Sequence, residues 1–206
     1  MERIDDHQLF GAMPIPSAGV VMLSKFVLNH NIVATSRKVT VDGDNSEWAN
    51  TDQALFVGEK SQAQATLRCS FDDENIYFLI EVLDNSLSKD DYASIYLSPT
   101  SNDVLTDKSC RIKVSHEGIK GVYTYKTDWT EIDLSVLATA KFDGNESNIY
   151  DQDYGYITEI SVPRSKLNIE SGKTRVNFSI FDKQGGLDAI NNSYANTAKW
   201  ILITGL

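Results

Sequence analysis

From residue 38 onward, apolar and polar positions alternate in short runs separated by turn residues. Between 63 and 71 the alternation is clean. Ala65, Leu67, Cys69 and Phe71 fall on one face, and Thr66, Arg68 and Ser70 on the other. A period of two is that of a strand with one face buried. After the turn Asp72-Asp73-Glu74-Asn75 comes the run Ile76-Tyr77-Phe78-Leu79-Ile80-Glu81-Val82. Its near-continuous apolarity suits a central strand covered on both faces, and the two segments read as an antiparallel hairpin. Further strands are expected at 38–41, 92–97, 110–115, 121–125, about 135–142, 155–162, 175–181 and 200–203. One short helical turn stands out, Pro163-Arg164-Ser165-Lys166-Leu167. Many strands, few helical patterns and turn signals throughout predict an all-β fold: an antiparallel β-sandwich or jelly roll with few short helices.

Residues 1–37 differ. The apolar run Ala18-Gly19-Val20-Val21-Met22-Leu23 continues to Phe26-Val27-Leu28 without a period of either 2 or 3.6. This segment is set apart as an N-terminal extension, either an edge element or a linker from an upstream region; 38–206 form the sandwich.

Composition narrows the function. Nine Tyr, eight Phe and three Trp suit pleated, half-buried surfaces. A formal net charge of −10 argues against nucleic acid, whose phosphates need clustered Lys and Arg, and against an anionic membrane surface. Neutral glycans carry no such penalty. No apolar run is long enough to span a membrane. The opening Met1-Glu2-Arg3-Ile4-Asp5-Asp6 is too acidic for a signal peptide, so an exported protein would carry its leader further upstream. Cys69 and Cys110 read equally as a disulfide of a secreted protein or as two buried thiols.

Five pieces in order resemble the family 9 carbohydrate-binding modules. They are Val41-Asp42-Gly43-Asp44-Asn45-Ser46-Glu47-Trp48; the segment Asp72 to Asp84; Asp91-Tyr92-Ala93-Ser94-Ile95-Tyr96-Leu97-Ser98-Pro99; Gly155-Tyr156-Ile157-Thr158-Glu159-Ile160-Ser161-Val162-Pro163; and the tail from Asn191-Asn192-Ser193-Tyr194 through Trp200. The resemblance implies an antiparallel sandwich that clamps the end of a sugar chain between two tryptophans and carries structural calcium. Here Tyr194 stands in place of one clamp tryptophan, and no aromatic stands near Ser88, where the other is expected. Ser94 occupies the position of a family Glu, and Lys113 that of a family Arg. The fold transfers and half of the clamp does not.

The expected saccharide site therefore centres on Tyr194, able to stack on a pyranose. Trp129, in the polar stretch Tyr125-Lys126-Thr127-Asp128-Trp129-Thr130, is a replacement platform or a lid on one end of the sandwich. Asn191, Asn192, Lys113 and Ser94 supply hydrogen-bond partners for sugar hydroxyls, a reading that ordinary loop polarity matches equally. Trp48 and Trp200 read as core. Acidic clusters occur at Asp42/Asp44/Glu47, at Asp72/Asp73/Glu74 with Asp84, and at Asp143/Glu146/Asp151/Asp153. Asp42, Asp44, Asp72 and Asp84 are candidate ligands for structural Ca2+; the bland alternative is that they bond their own turns.

Catalysis finds little support. His7, His30 and His116 lack zinc-binding spacing, and no Gly-x-Ser-x-Gly or phosphate-binding glycine loop occurs. Met1, Met13 and Met22 precede the matched region, which leaves no Met and His pair for haem. Two of the 29 carboxylates could flank a glycosidic bond, but spacing along the chain selects no pair. The leading expectation is a non-catalytic carbohydrate-binding module, extracellular or periplasmic, working beside or attached to an exported glycan-degrading enzyme. The partners expected are an oligo- or polysaccharide and an adjoining catalytic domain. Its rivals are a protein-interaction sandwich without sugar affinity and, more weakly, a glycoside hydrolase.

Overall fold

The computed structural model describes residues 13–15, 19–21, 31–49, 53–58, 63–143 and 154–206. Among the described residues there are sixteen strands: β1 (Met13–Ile15), β2 (Gly19–Val21), β3 (Ile32–Val33), β4 (Thr35–Ser36), β5 (Leu55–Val57), β6 (Gln64–Phe71), β7 (Asn75–Leu83), β8 (Tyr92–Ser98), β9 (Cys110–Ser115), β10 (Gly118–Tyr125), β11 (Trp129–Glu131), β12 (Leu137–Asp143), β13 (Gly155–Pro163), β14 (Lys173–Asp182), β15 (Gly186–Ala189) and β16 (Ile201–Thr204). Helical structure among the described residues is confined to 3-10 turns at Asn45–Trp48, Arg164–Lys166 and Thr197–Lys199.

Two sheets form the sandwich. One has the order β11-β10-β9-β8-β14-β16-β3, with β15 also pairing β14; the other runs β12-β13-β7-β6-β4, with β5 also pairing β6. Every pairing within them is antiparallel except β3 on β16 and β4 on β6. Residues 32–36 of the N-terminal segment are thus edge strands of both sheets. β1 and β2 pair only with each other.

One parity of each strand builds the core. Leu67, Cys69, Phe78, Ile80, Ile160 and Val162 from the smaller sheet meet Ile95, Leu97, Ile112, Val114, Val176, Phe178 and Ile180 from the larger. Each such side chain contributes about 1.5–3 kcal/mol of burial. Cys69 and Cys110 are both free and buried, and burial pushes the Cys110 thiol up to about 12. The apolar run 76–82 has two buried faces because a second cluster, Val39, Trp48, Tyr77, Leu79 and Ile157, covers the outside of the smaller sheet.

The strand expected at 38–41 does not form. Val39 is drawn into that outer cluster, and the Thr40 N–H donates to Glu47 Oε2 at 2.8 Å rather than to a neighbouring strand.

Candidate functional site

The opposite parity of the larger sheet faces outward, and its register lines side chains up in rows across the strands. One row is Asn177, Tyr96, Arg111, Tyr123 and Glu131; the next is Ser179, Ser94, Lys113 and Gly121. Tyr92 lies opposite Phe181 at one end, and Tyr125 opposite Trp129 at the edge. Antiparallel partners share a face, so this register gathers aromatics and cations on one surface.

Tyr96 is the hub. Its ring centroid lies 5.7 Å from that of Trp129, 5.2 Å from Tyr194 and 6.1 Å from Trp200, all at tilted or edge-on angles in the range where aromatic pairs attract. Tyr125 meets Trp129 edge-on at 5.5 Å. Tyr92 stacks on Phe181 at 5.1 Å with 14° between the planes. In the polar stretch that carries Trp129, Lys126, Thr127 and Asp128 make the turn, and Trp129 begins β11, where it packs on Tyr96. Trp48 belongs to the cluster outside the smaller sheet. Trp200, also buried, lies under the aromatic face instead of between the sheets.

The loop carrying Tyr194 is anchored through buried Asn177. Its Nδ2 donates to Asn191 O at 2.8 Å, and its Oδ1 accepts from Asn191 N at 3.0 Å. Asn191 in turn accepts from Ser193 N through Oδ1 and donates Nδ2 to Lys199 O. Trp200 Nε1 donates to Ser193 O. Asn191 is thus occupied in shaping the loop, whereas Asn192 is exposed. Tyr194 is half-buried and its phenol is pushed up to about 12, by burial first and then by Tyr96, with the Ser179 hydroxyl opposing. Neither the Tyr194 hydroxyl nor the Ser179 hydroxyl, both buried, completes a hydrogen bond, although Ser179 stands close enough to exert that opposing pull.

Two cations lie in the middle. Arg111 donates Nε and Nη2 to Ser94 Oγ at 3.2 and 3.1 Å, and its guanidinium carbon lies 5.2–5.8 Å from the ring centroids of Tyr92, Tyr96 and Tyr123. Lys113 Nζ sits 3.6 Å from the Tyr92 centroid. Both are within cation–π range. Burial, then the charges of Arg111 and Lys120, hold the Lys113 ammonium below its ordinary value.

The expected residues Tyr194, Trp129 and Lys113 therefore share one surface, with Asn191 behind it; Ser94, expected there too, is fully buried beneath it, where its hydroxyl accepts from Arg111. Sequence reasoning missed Tyr92, Tyr96, Arg111, Tyr123, Asn177, Ser179 and Phe181. The signal was the alternation itself: every second residue of 92–98 and 110–115 away from the core is aromatic, basic or hydroxylic.

The acidic residues separate differently from the expected grouping. Asp42 accepts from Asp44 N, Asp44 from Ser46 N, and Asp72 from Glu74 N, Asn75 N and the Tyr77 hydroxyl, so these three serve their own turns and do not converge. Residues 144–153 of the third acidic cluster lie outside the described residues. Among the described residues, the acidic set that gathers is Asp84, Asp91 and Asp182, all buried, each offering an oxygen within 4.8 Å of the others. They accept backbone N–H groups of Ser86, Ser88, Lys183, Gln184 and Gly185. Burial raises the Asp91 carboxyl; hydrogen bonds from Lys183 and Ser88 pull it back and the neighbouring Asp182 charge adds to the rise. Buried hard oxygens held this close fit a calcium ion's preference.

Two solved structures share this fold. One is a carbohydrate binding module family 9 from Caldicellulosiruptor kristjanssonii in complex with glucose, with a TM-score of 0.62 and 16% identity over 84% of this chain and 94% of that one. The other is the module of that description in complex with cellotriose, with a TM-score of 0.62 and 17% identity over 84% and 92%. No family model and no curated protein sequence matches the chain. The fold is that of the family 9 modules. No helix among the described residues is long and apolar enough to cross a membrane.

Proposed function

We propose that the outer face of β8, β9, β10 and β14 binds an oligo- or polysaccharide without transforming it. Trp129 and Tyr194 flank Tyr96 and stack on sugar rings, while Arg111, Lys113 and Asn192 offer hydrogen bonds and buried Ser94 holds Arg111 from beneath. The observation that carries this reading is the meeting of Trp129 and Tyr194 on one tyrosine from segments far apart in sequence. Support comes also from the glucose and cellotriose complexes of the two modules with the same fold. Each aromatic contact contributes about 0.5–1.5 kcal/mol beyond area burial, so a single site binds weakly. A module of this kind works by raising the local concentration of an attached or associated enzyme on its polymer; on this reading the protein serves a glycan-degrading enzyme outside the cytoplasm.

The three buried aspartates give the reading a structural cation. Calcium at Asp84, Asp91 and Asp182 would neutralise like charges and fix the ends of β7, β8 and β14.

The test is a glycan array followed by calorimetric titration. Saccharide binding should be measurable and should be lost in Trp129→Ala/Tyr194→Ala. Binding to no plant, host or microbial glycan, or an undiminished signal in the double variant, would defeat the reading.

A further inference from the structure

We propose that the saccharide held by this face carries a carboxylate, as a uronic acid does, and that Arg111 and Lys113 are its anchors. The inference rests on the saccharide-binding reading above and adds the class of sugar.

The chain carries 29 acidic residues against 19 basic ones, yet the two cations at the centre of the aromatic face have no acidic partner. Among the described residues, Arg111 and Lys113 form no ion pair. Glu131, the carboxylate in Arg111's row, stands two strands away beyond Tyr123 and is exposed. Arg175, by contrast, pairs with Asp103 at 2.9 Å and Lys183 with Asp90 at 2.8 Å.

Arg111's neighbours leave its capacity unspent. Cation–π contact uses ring faces, not N–H groups. Of its five donors, the two nitrogens Nε and Nη2 turn to one neutral hydroxyl, Ser94 Oγ. Nη1 makes no hydrogen bond to a described residue. A planar fork with open donors matches a carboxylate. Lys113 stands in the adjacent row on the same strand face, where burial first, and the Arg111 charge second, hold its ammonium below its ordinary value. A single anion between them relieves both. Trp129 and Tyr194, both packed on Tyr96 beside the cations, supply the wall on which the sugar ring rests, so the carboxylate and the ring face are recognised together.

Glucuronate and glucose differ only at C6, and titrating each into the full chain by calorimetry or by NMR isolates that group. Trigalacturonate and cellotriose form a longer pair. Glucuronate should bind at least about tenfold more tightly than glucose at low salt, as loss of a charge-assisted bond implies. That advantage should shrink several-fold at high ionic strength. Lys113→Met, which keeps the stem over Tyr92, should cost the acidic sugars most of their advantage, while the neutral ones lose only the smaller contribution of an uncharged hydrogen bond. Arg111→Met should do the same more strongly. Equal affinity within each pair, or an advantage that survives Lys113→Met, overturns the inference while the saccharide reading stands. Glucose 6-sulfate binding as well as glucuronate does would overturn the assignment to a carboxylate. Binding of none of these sugars overturns the inference, while the saccharide reading stands or falls by the glycan array.

Discussion

The indole Nε1 of Trp48 donates to Glu159 Oε1 at 2.8 Å across 111 positions of sequence. Glu159 Oε2 meanwhile accepts from Asp42 N at 2.9 Å and Gly43 N at 2.7 Å. One carboxylate on β13 thus fastens the whole Asp42 to Trp48 turn over the smaller sheet. Trp48→Phe keeps most of the apolar contact but removes the donor to a buried oxygen, which costs about 1–3 kcal/mol. Thermal unfolding should show a fall of several degrees with saccharide affinity intact, because the binding face lies on the other sheet. An unchanged melting temperature would deny the bond a structural role.

The same carboxyl gives a pH signature. Burial holds Glu159 above the usual carboxylate range, against the bonds from Trp48, Gly43 and Asp42 that pull it down. Between the unfolded value of about 4.3 and the raised folded value, the native state keeps a proton that the unfolded chain has released. Its contribution to stability is therefore complete below that window and falls as pH rises through it. Glu159→Gln cannot ionise, so melts from below about pH 4 to neutrality should show a flatter decline than the parent. Parallel profiles would reject the assignment.

How legible was this in the sequence? The period-2 run at 63–71 and the near-continuous apolar run at 76–82 placed β6 and β7 almost to the residue, because a strand with one or two buried faces writes that burial directly into the chain. The 38–41 segment misled, since Val39 and Val41 look like a strand but Val39 serves a cluster on the outside of a sheet. Trp129 and Tyr194 were legible as polar-context aromatics. Tyr96 and Arg111 were not, because what makes them central is register between β8, β9, β10 and β14, and pairing is a non-local property that no local window carries. Asp91 and Asp182 joined Asp84 for the same reason, from strand ends 91 residues apart.

Calcium should stabilise the protein through those three aspartates. A ligand that binds only the native state at about a hundredfold excess over its Kd contributes about 2.7 kcal/mol. Melting of chelator-treated protein should therefore move up by several degrees on adding calcium. Asp182→Asn, which keeps the shape and removes one charge, should abolish most of that rise. Identical melts with calcium and with chelator would set the site aside.

The last prediction concerns Gly121, the residue opposite Lys113. A Cβ built there would lie 2.3 Å from Tyr123 Oη, 2.6 Å from Cζ and 2.8 Å from Cε2. Those atoms belong to one rigid ring, so the ring must leave rather than bend. Tyr123 leans back over the glycine, and in that pose its ring lies 5.8 Å from the Arg111 guanidinium. Gly121→Ala should therefore displace one wall of the Arg111 cradle and weaken saccharide binding several-fold. The stability cost should stay within the roughly 1–3 kcal/mol of overpacking, since Tyr123 is only half-buried and can swing outward. Tyr123→Phe removes the atom in closest conflict, so the alanine should weaken binding less in that background than in the parent. A double-mutant cycle on affinity reads this coupling directly. If the two substitutions prove additive, Gly121 does not act through Tyr123.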